Sequence, residues 1–435
     1  MTGYLALLRG NRNFRRLWYG QVVSQLGDWL DSIALFTLTL NLTGSGQAVG
    51  LLLLVEFLPG AVIGPFAGVL IDRLPRRLVL IASDLGRAAL VLLLLLVDGP
   101  EDMWLLYTAV AGKFALAAFF EPARSAILPS ICSREELPAA NAISGATWSA
   151  MLALGAALGG LVAGTLGVTT AFLLDAASFL LSAAVLATVR SEDQRPKTRD
   201  QSSGESIPRR SGVGLWALVL GQLTGELREG LGYVLRRREV FWLTFSKAIW
   251  SLGGGVLLLL ALYGREIFPV GRDGALSIGL LYAARGVGTG IGPFLALRVG
   301  GSGPEFMRRA VAAAFFITGA GYLALSAAPA LAVAALCILF AHIGGSVQWV
   351  FSTALLQARV PNRLLGRVFA TEYAALTLAT ALSAYLTGLL RDAGVPPWAL
   401  AIGLSCVFFA AGAVMLVALW QARETAETRD TPAPL

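Results

Sequence analysis

The chain has 435 residues, 56% of them hydrophobic and only 14% charged, with a mean hydropathy of +0.70. Soluble domains carry about 25% charged residues, so a large water-soluble enzyme is excluded, as are disordered, collagen-like and disulfide-framed chains. The net charge of +7 does not indicate nucleic acid, because the basic residues fall in short segments between apolar runs, as in membrane proteins.

A bilayer-crossing helix needs ~20 apolar residues, and the sequence predicts twelve. In chain order they cover 16–40, 48–71, 78–97, 103–120, 141–166, 169–190, 240–263, 275–298, 308–327, 331–352, 367–390 and 397–420. The fold class is therefore an all-α membrane protein. Glycine is abundant, 49 residues, which suits close helix contact where lipid supplies no hydrophobic drive. The basic N-terminus (Arg9, Arg12, Arg15, Arg16) leads into a full span without a small-residue cleavage site, so no cleavable leader is expected. Of 34 Lys and Arg, 27 fall on one side of the predicted spans and three on the other. The positive-inside rule then places both termini and the long linker in the cytoplasm.

The organisation expected is an N-terminal six-helix bundle (1–190), a cytoplasmic linker (191–238), a C-terminal six-helix bundle (239–420) and a cytoplasmic tail (421–435). The linker is polar and rich in Pro, Gly and Ser, hence a flexible connector. Its end, Leu218–Arg238, is amphipathic and closes on Arg236, Arg237 and Arg238, which fits a surface helix on an anionic leaflet or an ordinary solvated helix. A faint repeat links the halves at an offset of 228 residues. Gly64-Pro65-Phe66 matches Gly292-Pro293-Phe294, Ala126-Ile127-Leu128 aligns with Ala354-Leu355-Leu356, and Leu137 with Leu365. Parallel six-span repeats occur in secondary transporters.

The most specific motif follows the second span: Gly68, Leu70, Asp72, Arg73, Pro75, Arg76 and Arg77 in a tight loop. Gly68 permits helix contact, Pro75 stops one helix and starts the next, and Asp72 can sit at a neighbouring helix N-terminus, where the dipole favours an anion. This stretch resembles the signature loop of the major facilitator superfamily. Asn13–Trp18 with Ser24–Trp29, Glu121–Ala126, Leu137–Ala142, Phe172–Phe179 and Pro361–Val368 resemble its macrolide-efflux and enterobactin-exporter branch. The resemblance covers nearly the whole chain. It implies twelve helices in two pseudo-symmetric bundles around a central cavity, alternating access, and a cytoplasmic gate in which Asp72 meets the start of span eleven and Arg124. It also implies drug:proton antiport in a bacterial inner membrane. One departure stands out: the family's fifth-helix G-P-x-x-G-G reads Gly155-Ala156-Ala157-Leu158-Gly159-Gly160 here, without its proline.

Charges inside spans are rare and face cavities or one another. Span one carries Gln21, Ser24, Gln25, Asp28, Asp31 and Ser32 on one face at steps of three and four. Glu56, Lys113, Lys247, Arg285 and Glu372 lie in spans two, four, seven, eight and eleven. The acids of the N-half and the bases of the C-half suggest pairing across the cavity, whereas Asp84 and Arg87, spaced i,i+3, read as a local pair. A carboxyl kept dry can hold a proton at neutral pH, so Asp28, then Asp31 and Glu56, are the proton-coupling candidates, with static salt bridges as the competing reading. Lys113, Lys247, Arg285 and Glu372 are their charge partners. Gln21, Gln25, Trp250, Gln348, Trp349 and Tyr373 are the candidate substrate surface. Gly68, Asp72, Arg73, Arg76, Arg77 and Arg124 form the gate loop.

The single histidine, His342, is expected to pack rather than titrate. It also excludes a multi-histidine metal centre, and the three cysteines are too scattered for disulfides or a metal site. Asn41-Leu42-Thr43 fits a glycosylation sequon, but nothing else points to a glycosylating compartment. No phosphate-loop or metal-protease motif occurs, so neither an ATP-driven pump nor a membrane enzyme is expected. The reading is a secondary transporter with no cofactor, driven by a proton gradient, exporting amphipathic small molecules or drugs as a monomer. Lysophospholipid or siderophore transport, for which Lys247 and Arg285 would suit an anionic head group, and a non-transporting membrane sensor are the alternatives.

Overall fold

Asn11 decides where the first long helix begins. Its backbone is extended and its Oδ1 accepts from the Phe14 N–H at 2.9 Å, satisfying an amide of the first turn that has no partner within the helix. Its Nδ2 donates to the carbonyl of Ile131 at 2.7 Å and to Glu136 at 3.1 Å, so one residue ties three helices together. A short helix, α1 (Thr2–Gly10), precedes it. The helix it starts, α2 (Arg12–Thr43), stops at Gly44, whose φ of 62° a side chain would resist.

The structure, a computed structural model, describes residues 2–71, 74–133, 135–190 and 228–430, and among the described residues every regular element is helical. Beyond α2 come α3 (Gly46–Ile71), α4 (Arg76–Leu93), α5 (Met103–Ile131), α6 (Leu137–Thr165) and α7 (Val168–Leu186). Residues 228–236 form α8. There follow α9 (Arg238–Ser251), α10 (Val256–Leu262), α11 (Ala275–Gly300), α12 (Pro304–Ser326), α13 (Leu331–Arg359), α14 (Asn362–Asp392) and α15 (Pro397–Asp430). Among the described residues, eleven stretches are long and apolar enough to cross a bilayer, with α9 and α10 joined in one of them. The twelfth crossing is α2, whose 32 residues span about 48 Å at 1.5 Å per residue. Its polar stripe lowers its hydropathy without shortening it. Leu161, Leu173, Leu336, Leu378 and Phe294 stand exposed on the outside of the molecule, as a lipid-facing surface requires.

In one bundle α2 packs on α6 and α7, α4 on α5 and α7, and α3 on α5; in the other α12 packs on α13 and α15, α11 on α13, and α9 on α13, α14 and α15. The bundles meet along two seams, α6 on α11 and α3 on α14. The α6 seam explains its glycines. A Cβ on Gly160 would stand 2.7 Å from the Ala275 carbonyl oxygen and from Gly279 Cα, while a Cβ on Gly159 would stand 2.9 Å from the Trp29 carbonyl oxygen. Gly160 thus admits α11 and Gly159 admits α2. Ala156 is fully buried where the family proline would be, and α6 runs unbroken.

Several helices outrun their predicted spans, α13 to Arg359 and α15 to Asp430 through most of the expected tail, and two spans differ further. Span four was expected to end at 120, but α5 continues through Pro122 and Pro129 to Ile131, because Glu121, Pro122 and Arg124 line the mouth of a cavity instead of meeting lipid. Span seven was expected as one helix, but it breaks between α9 and α10. Gly253 and Gly254 there admit the Phe408 ring and the Thr380 Cα. The Ser383 hydroxyl of α14 donates to the Leu252 carbonyl at 2.6 Å and accepts from the Gly255 N–H at 2.9 Å. The backbone groups freed by the break are thereby satisfied at membrane depth. Of the predicted surface helix Leu218–Arg238, residues 218–227 lie outside the described residues, as do Asp72 and Arg73 of the gate loop. Of the remainder, 228–236 form α8, held to α14 by an ion pair between Glu229 and Arg367, while Arg238 opens α9.

Candidate functional site

A cavity of about 980 Å³ lies between the bundles. Its wide end is framed by Glu121, Arg124, Asn141 and Ser144 at the arginine-rich end of the molecule, and its floor by Phe36, Leu53, Leu257 and Tyr282. Phe36 of α2 stacks on Tyr282 of α11 at 5.6 Å, joining the halves at the floor. The walls are amphipathic. Trp29 and Trp148 meet edge to face at 6.4 Å, with Phe57, Phe114, Phe369 and Tyr373 nearby, and the polar groups are Gln21, Gln25, Asp28, Ser32, Glu56, Arg87, Lys113 and Arg285.

Behind the α2 wall sits a buried ion cluster. The helical period that places Asp28 and Asp31 on one face turns both toward Lys113 of α5. Lys113 Nζ donates to Asp175 Oδ2 at 3.3 Å and, more closely, to Asp31, and it forms an ion pair with Asp28 Oδ1 at 3.1 Å. One ammonium thus serves three carboxylates. Arg87 Nη1 reaches Asp28 Oδ2 at 3.6 Å and its other nitrogen pairs with Asp84. The guanidinium lies between the Phe120 and Phe179 rings, 4.5 and 4.3 Å from their centroids, the stacking that a planar, weakly hydrated cation favours. Four carboxylates thus share two cations. Asp28 is the bridge: it contacts both cations and its side chain is 33% exposed to the cavity, against 1% for Asp31 and 0% for Asp175. One oxygen each of Asp31 and Asp84 is buried with no hydrogen-bond partner.

Several predicted placements are corrected. Among the described residues the buried ion pairs form within each bundle, α2, α4, α5 and α7 supplying one set and α9 and α14 the other. Lys247 pairs with Glu372 at 3.0 Å and donates to Thr353 Oγ1 at 2.7 Å, all inside the C-terminal bundle. Neither Lys247 nor Glu372 lines the cavity. Trp250 packs on Phe408 and the His342 ring. Gln348 is fully buried and donates to Ser246 at 3.0 Å. Trp349 lies under Lys247 at 4.6 Å and is itself exposed, outside the cavity lining. None of these three lines the cavity. The Asp84–Arg87 pair is not merely local, since it extends to Asp28.

Gln21, Gln25 and Tyr373 do line the cavity, as do Glu56 and Arg285 from opposite bundles, neither in an ion pair among the described residues. Arg285 lies over the Tyr282 ring at 5.7 Å. In the gate region Arg76 donates to the Ala126 carbonyl at 2.8 Å and Arg77 to that of Ala187. Arg124 pairs with Glu121 at 2.7 Å and donates to Gln21 Oε1 at 3.3 Å. Gly68 lies in the last turn of α3, and Asp72 and Arg73 lie outside the described residues. His342 shares a 2.8 Å hydrogen bond with the Tyr322 hydroxyl in the C-terminal core.

Sequence reasoning missed Asp175 and the place of Arg87 and Asp84 in the cluster. A signal existed: Phe172, Asp175, Phe179 and Ser182 recur at helical steps in α7.

The family model for the Major Facilitator Superfamily matches residues 17–370. The chain belongs to the Major Facilitator Superfamily. An MFS-type transporter of Bacillus subtilis (strain 168), YfiS, is 27% identical over 432 residues, covering 94% of this chain and 92% of that protein. Macrolide efflux protein A of Streptococcus pyogenes is 25% identical over 406 residues, covering 90% and 92%. Among solved structures, a bacterial homologue of the human lysosomal transporter Spinster, inward-facing and unoccupied, superposes with a TM-score of 0.69 at 16% identity, covering 98% of this chain and 100% of that one. An auto-inhibited POT family peptide transporter gives 0.70 at 14% identity, covering 97% and 98%. This superfamily member is thus an integral membrane transporter and not an enzyme. The structural likenesses carry the fold alone.

Proposed function

We propose that the protein is a proton-coupled exporter of amphipathic small molecules that works by alternating access. The observation that carries this is the cluster of four carboxylates on two cations, with Asp28 standing between it and the cavity. With every acid ionised the cluster holds two negative charges in excess, and dry protein tolerates such an excess poorly. Protons reaching Asp28 through the cavity are the means of neutralising it. A proton on Asp28 removes one of the three carboxylates holding Lys113 and one of the two holding Arg87. Lys113 then closes on Asp31 and Asp175, and the α2 wall loses a charge facing the substrate. The charge of the cavity wall and the packing of α2, α5 and α7 change together, which is what coupling requires.

The aromatic walls and the unpaired Glu56 fit an apolar body with a cationic or polar group. Export is supported by the name of the macrolide efflux relative and by that of a putative bacilysin exporter of Bacillus subtilis, 28% identical over 180 residues. The wide end of the cavity is assigned to the cytoplasm, with both termini, because the arginines gather there. Arg285 is the observation that favours an anionic amphiphile instead, and competition by such a compound distinguishes the two.

Asp28→Asn is the test. In proteoliposomes it abolishes substrate-driven proton movement while the protein remains folded. Unchanged proton flux removes Asp28 from the scheme. A substrate panel in an efflux-deficient host, with and without a collapsed pH gradient, identifies the cargo; protection that survives the collapse refutes proton coupling.

A further inference from the structure

At the sealed end of the cavity one carboxylate crosses from bundle to bundle. Asp392 is the last residue of α14, and Gly46 is the first of α3. Asp392 Oδ1 accepts from the Gly46 N–H at 2.6 Å, and its Oδ2 accepts from the Gln47 N–H at 3.0 Å and from the Ser45 hydroxyl at 2.6 Å. These amides are ones a helix leaves without internal partners, at the end where the helix dipole favours an anion. Ser45 Oγ serves the Ala48 N–H at 3.1 Å. The start of a helix in one bundle is therefore capped by a side chain of the other. Arg391, the preceding residue, packs its stem against Gly46 while its guanidinium pairs with Glu266 at 2.9 Å, so its charge is engaged within its own bundle.

The same end carries further contacts between the halves. Gln47 Nε2 donates to the Tyr385 hydroxyl at 2.8 Å, and Asn41 Nδ2 donates to Asp273 Oδ2 at 2.7 Å. Packing is tight enough that a Cβ on Gly50 would stand 2.8 Å from Tyr385 Cα. Any motion that opens this end must pull α3 off α14 and leave these amides to water.

We infer that Asp392 is a positioning residue that latches the sealed end by capping α3, and so sets the balance between the two facing states of the transporter. It touches no substrate. The inference rests on the alternating-access reading above.

The test uses the full chain in lipid nanodiscs, with Cys132, Cys337 and Cys406 replaced by serine and spin labels placed by Glu101→Cys and Ala330→Cys, both exposed positions at the sealed end. Double electron–electron resonance reads the separation of the halves there. Asp392→Ala raises the ratio of wide to narrow populations about fivefold, the effect of losing one helix cap, and Asp392→Glu returns most of the narrow population. Gly50→Leu, which wedges α3 from α14, serves as the second perturbation. If Gly50→Leu widens the distance and Asp392→Ala does not, the latch is overturned while alternating access stands. If neither variant widens it, the rocking of the bundles is overturned together with the latch.

Discussion

Lys113 holds three carboxylates of the N-terminal bundle at once. Lys113→Met keeps the length and apolar stem of the side chain and removes the ammonium. It leaves Asp28, Asp31 and Asp175 facing one another with only Arg87 nearby, and Arg87 reaches Asp28 alone among the three. Removing one partner of a buried ion pair costs about 3–5 kcal/mol, and here three acids lose the same partner. Asp31→Asn alone is milder, about 1–3 kcal/mol, because Asp28 and Asp175 still hold the lysine. The double variant removes the lysine together with one of its orphans. Its loss should therefore fall short of the sum of the singles by at least about 1 kcal/mol, well outside the ~0.5 kcal/mol scatter of independent sites. Unfolding midpoints in detergent titrations, followed by tryptophan fluorescence, give the cycle. Single losses that add within that scatter would refute the shared-lysine geometry.

Other outcomes follow from the same contacts. Lys247→Met with Glu372→Gln, which removes both members of a pair that does not line the cavity, should leave transport at wild-type levels, whereas Tyr373→Ala should impair it; a liposome counterflow assay compares the two. Gly160→Val places a branched side chain where Ala275 and Gly279 already touch, and such overpacking costs about 1–3 kcal/mol, read as a lowered melting temperature in detergent. Asn11→Ala removes the cap of α2 and its bonds to Ile131 and Glu136, a loss of about 1–2 kcal/mol visible in the same melt.

Most of the architecture was legible in the residues. Apolar runs of bilayer length set all twelve spans, span one among them despite the polar face that carries Gln21, Gln25, Asp28 and Asp31. The clustering of Asp28 and Asp31 was readable because both lie on one helix. What periodicity does not supply is the rotation of one helix against another. Trp250, Gln348 and Trp349 carry cavity-like chemistry, yet α9 and α13 turn them into the C-terminal core or outward. Asp175 lies five spans from Asp31 in chain order, and only packing reveals that they share Lys113. The break in span seven was signalled by Gly253-Gly254-Gly255, but a glycine run alone does not say whether a neighbour can take over its hydrogen bonds.

That last point gives span seven a property the straight spans lack. Straightening or bending an ordinary spanning helix strands a bare amide or carbonyl among acyl chains. At Leu252–Gly255 a hydroxyl from α14 already holds both loose ends, so α10 can pivot against α9 while its polar groups stay clothed. Because that hydroxyl belongs to α14, which also packs on α3, the break in span seven and the α3–α14 seam are anchored on one and the same helix.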